Sequence, residues 1–332
     1  MKFESSRTRR IGLALSTAWL LLLASCGGGE LVTEFKPQRI VAFGDQTSVI
    51  TQQGQVDPVT QQPYAASGRK FTVNALETTT GAPLCQSNPN WVQYLALSFT
   101  LPFPQCNPDN AAAPSVDHAA NGAKVADLVT QIDAHLAGDT FGNTDLVTVL
   151  VGANDILEQY ALYPAQDEGT ITAVLEQRGT QLAQQVARIA AAGGKVIVST
   201  VLNQGTTPFA LTERAAHDAA DDRAALLGRL TSRFNAKLRV GLLDQSGRNV
   251  GLVLGDEVVQ TYINFPELGP FVNVTEPACT AALPDCTTAT LVDAAKGTSG
   301  AGYLWADSHE LGAAGHRVLG DAANTRARNN PF

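Results

Sequence analysis

The residues of this chain that could do chemistry sit in four short polar turns, each joined to an apolar stretch. Gly44-Asp45-Gln46-Thr47-Ser48 follows Arg39-Ile40-Val41-Ala42-Phe43. Asn121-Gly122 closes the small-residue stretch from Val116. Gly152-Ala153-Asn154-Asp155 follows Asp145-Leu146-Val147-Thr148-Val149-Leu150-Val151, and Asp307-Ser308-His309-Glu310 opens the last helical segment. Ligands of an open α/β sheet sit outside the carboxyl ends of its strands, so residues 44–48 are expected to face a site. At position 46 stands a carboxamide, which cannot act as a nucleophile. Two hydroxyls lie next to it. If residues 46–48 open a helix, Ser48 is turned by about 200° from residue 46 and Thr47 by about 100°, the latter also stiffened by β-branching.

Each of these residues also has a plainer reading. Asp45 can cap the first helix, Asp155 can hold its turn, Asn154 can be a turn residue, and His309 can be a solvated neighbour of an N-cap. Asp45, Asp307 and Glu310 could instead form an acidic cluster that binds a cation or activates water. His118, His135, His217 and His316 lack metal-ligand spacing and read as core or surface histidines.

The elements that must position these turns alternate strand and helix. The apolar run 39–44 reads as a first strand that hands over to a first helix, and the Gln-, Gly- and Pro-rich stretch 51–84 reads as an insertion with a possible strand over 70–76. Helical spacing recurs over 90–97, from Ala123 to about Leu136, over 171–189 until Gly193-Gly194 stops it, over 226–238, and over 311–319. Strands are expected at 145–151, 195–199 and 250–254. With long crossovers, this order predicts a parallel sheet covered on both faces, with ligands outside the carboxyl ends of its strands. No charge run or long Pro/Ser-rich linker divides residues 39–332, which read as one domain.

Residues 1–25 have the basic, apolar, small-residue order of a secretory signal, ending Leu23-Ala24-Ser25-Cys26. This ending resembles a bacterial lipobox, which implies cleavage before Cys26, acylation of its sulfur and, with no aspartate after it, the outer membrane facing the periplasm. Gly27-Gly28-Gly29 begins a tether over residues 26–38. Loss of the signal takes Lys+Arg from 23 to 19 and Asp+Glu from 31 to 30, a net charge of about −11. That balance argues against nucleic acid or anionic lipid as a partner. Four cysteines follow Cys26, and an oxidising compartment favours the local pairs Cys85–Cys106 and Cys279–Cys286 among the three pairings possible. Neither Cys-x-x-Cys nor a close His pair supports zinc.

From Arg39 onward, Gly44-Asp45, the turn at Gly122, Gly152-Ala153-Asn154-Asp155 after a buried strand, and Asp307 near His309 before the final helix resemble the SGNH/GDSL ester hydrolases. The loop through Asn264-Phe265-Pro266, Asn273-Val274-Thr275 and Cys279/Cys286 resembles the lipase, esterase and autotransporter branch. The resemblance implies a flavodoxin-like three-layer α/β/α sandwich and a Ser-His-Asp mechanism with no cofactor. By position, Gly122 and Asn154 match the oxyanion donors and Asp307 the orienting acid. Gln46 stands at the serine position and Glu310 at the histidine position, with His309 one residue early. The implied ligand is an ester, an acylated glycan or a lipid. Three functions follow: a hydrolase-like lipoprotein weakened or silenced at its site, an esterase working through Ser48 or Thr47 with His309, or a non-catalytic binding or scaffold protein of the cell envelope.

Overall fold

The computed structural model describes residues 35–243, 249–330 and 332. The expected signal sequence, Cys26 and most of the tether therefore lie outside the described residues. Among the described residues, no helix is long and apolar enough to cross a membrane.

Five parallel strands make the central sheet: β1 (Arg39–Gly44), β2 (Val116–Asp117), β3 (Asp145–Leu150), β4 (Lys195–Ser199) and β5 (Val250–Val253), in the spatial order β2-β1-β3-β4-β5. The alternation of side chains builds a layer on each face. Val41 and Phe43 of β1, Val147 and Val149 of β3, and Val196 and Val198 of β4 point to one side. There they meet α2 (Val125–Gly138), α4 (Glu168–Ala191) and α6 (Arg223–Leu243). Ile40, Ala42, Leu146, Leu150 and Ile197 point to the other side, against α1 (Trp91–Ser98) and α9 (Ala313–Asn329). The result is a three-layer α/β/α sandwich with the flavodoxin-like strand order.

This order has a consequence for the site. The chain leaves β1 for β2 on one side and then crosses back to β3 on the other, so the carboxyl ends of β1 and β3 flank a crevice at the point where the winding reverses. Three shorter helices follow β3, β4 and β5 in the chain: α3 (Ala153–Tyr160), α5 (Pro208–Ala216) and α7 (Gly255–Asn264). A two-stranded parallel sheet of β6 (Asn273–Pro277) and β7 (Tyr303–Trp305), with the short α8 (Asp293–Lys296) between them in sequence, leads into α9.

Several expectations are corrected. No helix directly follows β1: residues 45–48 form a turn closed by Ser48 N–H to the Asp45 carbonyl, and the next helix begins only at Trp91. Asp45 accordingly caps that turn, taking the Thr47 N–H, and caps no helix. Residues 70–76 form no strand, because Lys70, Asn74 and Leu76 each make only an isolated bridge. The second helix starts at Val125 rather than Ala123, where the Asp155 carboxylate takes the Val125 N–H. Asn154 lies in the first turn of α3 rather than in a loop.

Both disulfides form as Cys85–Cys106 and Cys279–Cys286. The first closes a separation of 21 residues beside a fully buried amine. Lys70 Nζ donates to the Cys85 and Ser87 carbonyls, and burial pushes its pKa down to about 7. Replacing Cys85 and Cys106 by Ser is expected to cost about 2–4 kcal/mol in urea unfolding, mainly by freeing the unfolded chain. An unchanged midpoint would mean that other contacts already pin this loop.

Candidate active site

At the end of β1 the backbone turns sharply. Gly44 has φ +140°, and a Cβ there would run into the Leu150 carbonyl of the neighbouring strand, so only glycine fits. The Gln131 side chain of α2 holds the same residue from the other side, accepting the Gly44 N–H and donating to its carbonyl, both at 2.9 Å. The end of β1 is thus fixed before residue 46 is placed.

The Gln46 side chain then enters the crevice, only 8% exposed. Its Oε1 accepts the Gly122 N–H at 3.1 Å and the Asn154 Nδ2–H at 2.9 Å. The second hydrogen of Asn154 Nδ2 goes to the Ala123 carbonyl at 2.9 Å, which orients the amide. Gly122 has φ +75°, and a Cβ on it would collide with Val59 of the insertion. The insertion also reaches this turn through Asp57, whose carboxylate accepts both contacts from Asn121 Nδ2 at 3.0–3.1 Å. Two donors suited to an oxyanion are therefore filled by an internal carbonyl.

The far end of the same carboxamide meets Glu310. Gln46 Nε2 donates to Glu310 Oε1 at 2.7 Å, and Thr47 Oγ1 lies 3.2 Å from Glu310 Oε2. Glu310 is aimed inward by Asp307, whose Oδ1 accepts the His309 and Glu310 N–H groups at 2.8 and 2.7 Å. Asp307 thus orders the loop backbone. Burial, together with the nearby charges of Asp45 and Asp307, pushes the Glu310 carboxyl up to about 8. Burial likewise raises Asp45 to about 7 and Asp155 to about 6.

His309 takes another course. Its Nδ1 lies 2.8 Å from Ser308 Oγ and its ring stacks on Phe209 at 4.8 Å, while burial lowers its pKa. Ser48 is fully buried and its Oγ accepts the Trp91 Nε1–H at 3.1 Å, away from Glu310. Thr47, which a helical count would rotate away, shares the Glu310 carboxyl because the segment is a turn. That contact was missed from sequence for want of the turn's geometry. A cavity of about 20 Å³, room for a single water, is lined by Asp45, Gln46, Thr47, His309 and Glu310 among others.

Among the described residues no cluster of His, Cys, Asp and Glu could hold a metal ion, so Asp45, Asp307 and Glu310 do not make a cation site. His118 and His135, 17 residues apart, meet at 3.0 Å beside Phe43 and Phe141 within the core. His316 is fully buried, with Nδ1 accepting the Trp91 N–H at 3.3 Å.

Neither a protein-family model nor a curated protein matches the sequence. Solved structures do match. One is a member of the lipolytic G-D-S-L family from Veillonella parvula, at 12% identity and a TM-score of 0.43 over 86% of this chain and 95% of that one. Another is Axe2, an acetylxylan esterase from Geobacillus stearothermophilus, at 15% identity and a TM-score of 0.45 over 89% of this chain and 96% of that one. The likeness is one of fold. What the crevice does is decided by the side chains this chain places in it.

Proposed function

We propose that this protein is an SGNH/GDSL-type ester hydrolase in form that has given up ester hydrolysis, and that it acts as a non-catalytic lipoprotein of the bacterial cell envelope. One observation carries the loss of activity. Gln46 Oε1 occupies both donors that an ester's oxyanion would need, Gly122 N–H at 3.1 Å and Asn154 Nδ2 at 2.9 Å. A substrate carbonyl would have to displace a buried amide whose nitrogen is also held by Glu310. Among the described residues Glu310 has Gln46 and Thr47 as its side-chain partners and no serine, and loss of a triad leaves only residual catalysis. The envelope assignment is supported by the Leu23-Ala24-Ser25-Cys26 ending of the leader.

The test uses the full chain made in a bacterium and extracted in detergent. A serine-directed fluorophosphonate should leave it unlabelled, and short p-nitrophenyl esters should turn over no faster than in buffer. Its Cys26 should carry acyl chains by mass, and a Cys26→Ser chain should leave the membrane fraction. A second reading has one observation in its favour, the Thr47 hydroxyl 3.2 Å from Glu310, which makes a hydroxyl–carboxylate pair. Ester turnover that vanishes in Thr47→Val would establish that reading and overturn the silent one.

A further inference from the structure

We propose that this site hydrolyses its own Gln46, converting the carboxamide to a carboxylate with release of ammonia. The proposal rests on the reading of the crevice as a blocked hydrolase site and goes one step further: the blocking group is itself placed as a substrate. Amides resist hydrolysis because the carbonyl is stabilised by its nitrogen and because that nitrogen leaves poorly without a proton. The crevice acts on both obstacles.

The carbonyl oxygen of Gln46 already accepts the two donors of the hole, at 3.1 and 2.9 Å, and both are rigidly held. Gly122 is at a left-handed turn that the insertion covers, and the Asn154 amide is oriented by the Ala123 carbonyl. Such donors strengthen as negative charge develops on the oxygen, in a pocket from which bulk water is excluded. The Gln46 nitrogen lies 2.7 Å from a Glu310 oxygen. That carboxyl is the only acid–base group in hydrogen-bond contact with the amide among the described residues, and its environment moves its pKa into the range where a general base works near neutral pH. The small cavity bordered by Gln46, Glu310 and His309 has room for the one co-reactant required, a water molecule.

The chemistry balances without any redox partner. The water oxygen bonds to Cδ of Gln46 while its proton passes to the Glu310 carboxylate, and the carbonyl electrons move onto Oε1 in the hole. Collapse of the tetrahedral species breaks the Cδ–Nε2 bond as Glu310 returns that proton to the departing nitrogen. Ammonia leaves, and residue 46 becomes a glutamate. Its carboxylate keeps the Gly122 and Asn154 donors and faces Glu310, so the two acids then share a proton as close carboxyl pairs do. Thr47, on the other Glu310 oxygen, holds that carboxyl in position throughout.

The experiment is a time course of peptide mapping by mass spectrometry on the purified full chain, incubated folded at about pH 8.5 and, in parallel, unfolded in urea at the same pH. The folded chain is expected to accumulate glutamate at position 46. Asn154→Ala should slow that conversion by roughly 10²-fold through loss of one oxyanion donor. Glu310→Gln, which keeps the shape of the side chain, should slow it by roughly 10² or more through loss of the proton shuttle. Circular dichroism checks that both variants are folded. Gln46 remaining an amide in the folded wild type overturns the proposal. So does conversion at the same rate in the urea-unfolded chain or in folded Glu310→Gln, since either would be ordinary spontaneous deamidation. An intact Gln46 would leave the silent-hydrolase reading standing, because that reading depends on probe labelling and ester turnover instead.

Discussion

Raising the pH from about 6.5 to about 8.5 will lower the stability of this protein by a net of about 2 kcal/mol, with Glu310 the largest destabilising contributor. Burial raises Glu310 from 4.5 to about 8 and Asp45 and Asp117 from 3.8 to about 7. An acid whose folded pKa exceeds its unfolded one keeps its proton in the native state after the unfolded chain has lost it. Its contribution is therefore complete below about pH 4 and drains away as pH climbs through the folded value. Buried histidines run the other way: His316 and His118 are lowered from 6.5 to about 3 and about 4, so they cost stability only as pH falls below 6.5. Above that point one buried base opposes the acids: Lys70, lowered from 10.5 to about 7, sheds its proton in the folded state while the unfolded chain keeps it, which gives back about 2 kcal/mol across the window. Glu310 crosses about one and a half pH units within the window, worth about 2 kcal/mol, the two aspartates together add about as much again, and Lys70 offsets about 2 kcal/mol of the sum. Urea midpoints should fall in the wild type mainly between about pH 6.5 and 8 and stay nearly level in Glu310→Gln, where the two aspartates and Lys70 offset each other. A flat wild-type curve would show that these carboxyls are solvated and that the site is open.

The second large effect is a gain. Gln46→Ser combined with Glu310→His is expected to turn over p-nitrophenyl acetate at least about 10²-fold faster than the wild type, the lower end of what a positioned general base supplies. The serine would free the Gly122 and Asn154 donors, now occupied by Gln46 Oε1. The histidine would sit where a carboxyl already reaches residue 46 at 2.7 Å, on a loop ordered by Asp307. Gln46→Ser alone should do far less, because Glu310 cannot both accept the serine proton and present a cation to the developing charge. A folded double variant with no turnover would mean that the crevice is not a hydrolase site in disrepair.

The layers of the fold were legible because burial on both faces writes itself as continuous apolar runs. Leu146 to Leu150 alternate between the two helical layers with no polar side, and Val196 to Val198 do the same. The insertion was harder. A sequence rich in Gln, Gly and Pro carries no period, and what looked like a strand at 70–76 is held by side chains such as Asn74 and Lys70 rather than by a ladder. The turn at 45–48 misled for a related reason. Its residues suit a helix, yet Asn90, 42 positions away, donates to the Ser48 carbonyl and leaves no room for one.

By themselves, the residue types determined that Gln46 carries no nucleophile and that Glu310 brings a carboxyl and not an imidazole, because those are facts of covalent chemistry. Only the tertiary structure decided that the two deficiencies answer each other: strand order brings the ends of β1 and β3 together, and a carboxamide there is long enough to satisfy two backbone-anchored donors and one buried acid at once. Hydrogen bonding in a water-poor crevice depends on distance and direction, and neither is written along the chain.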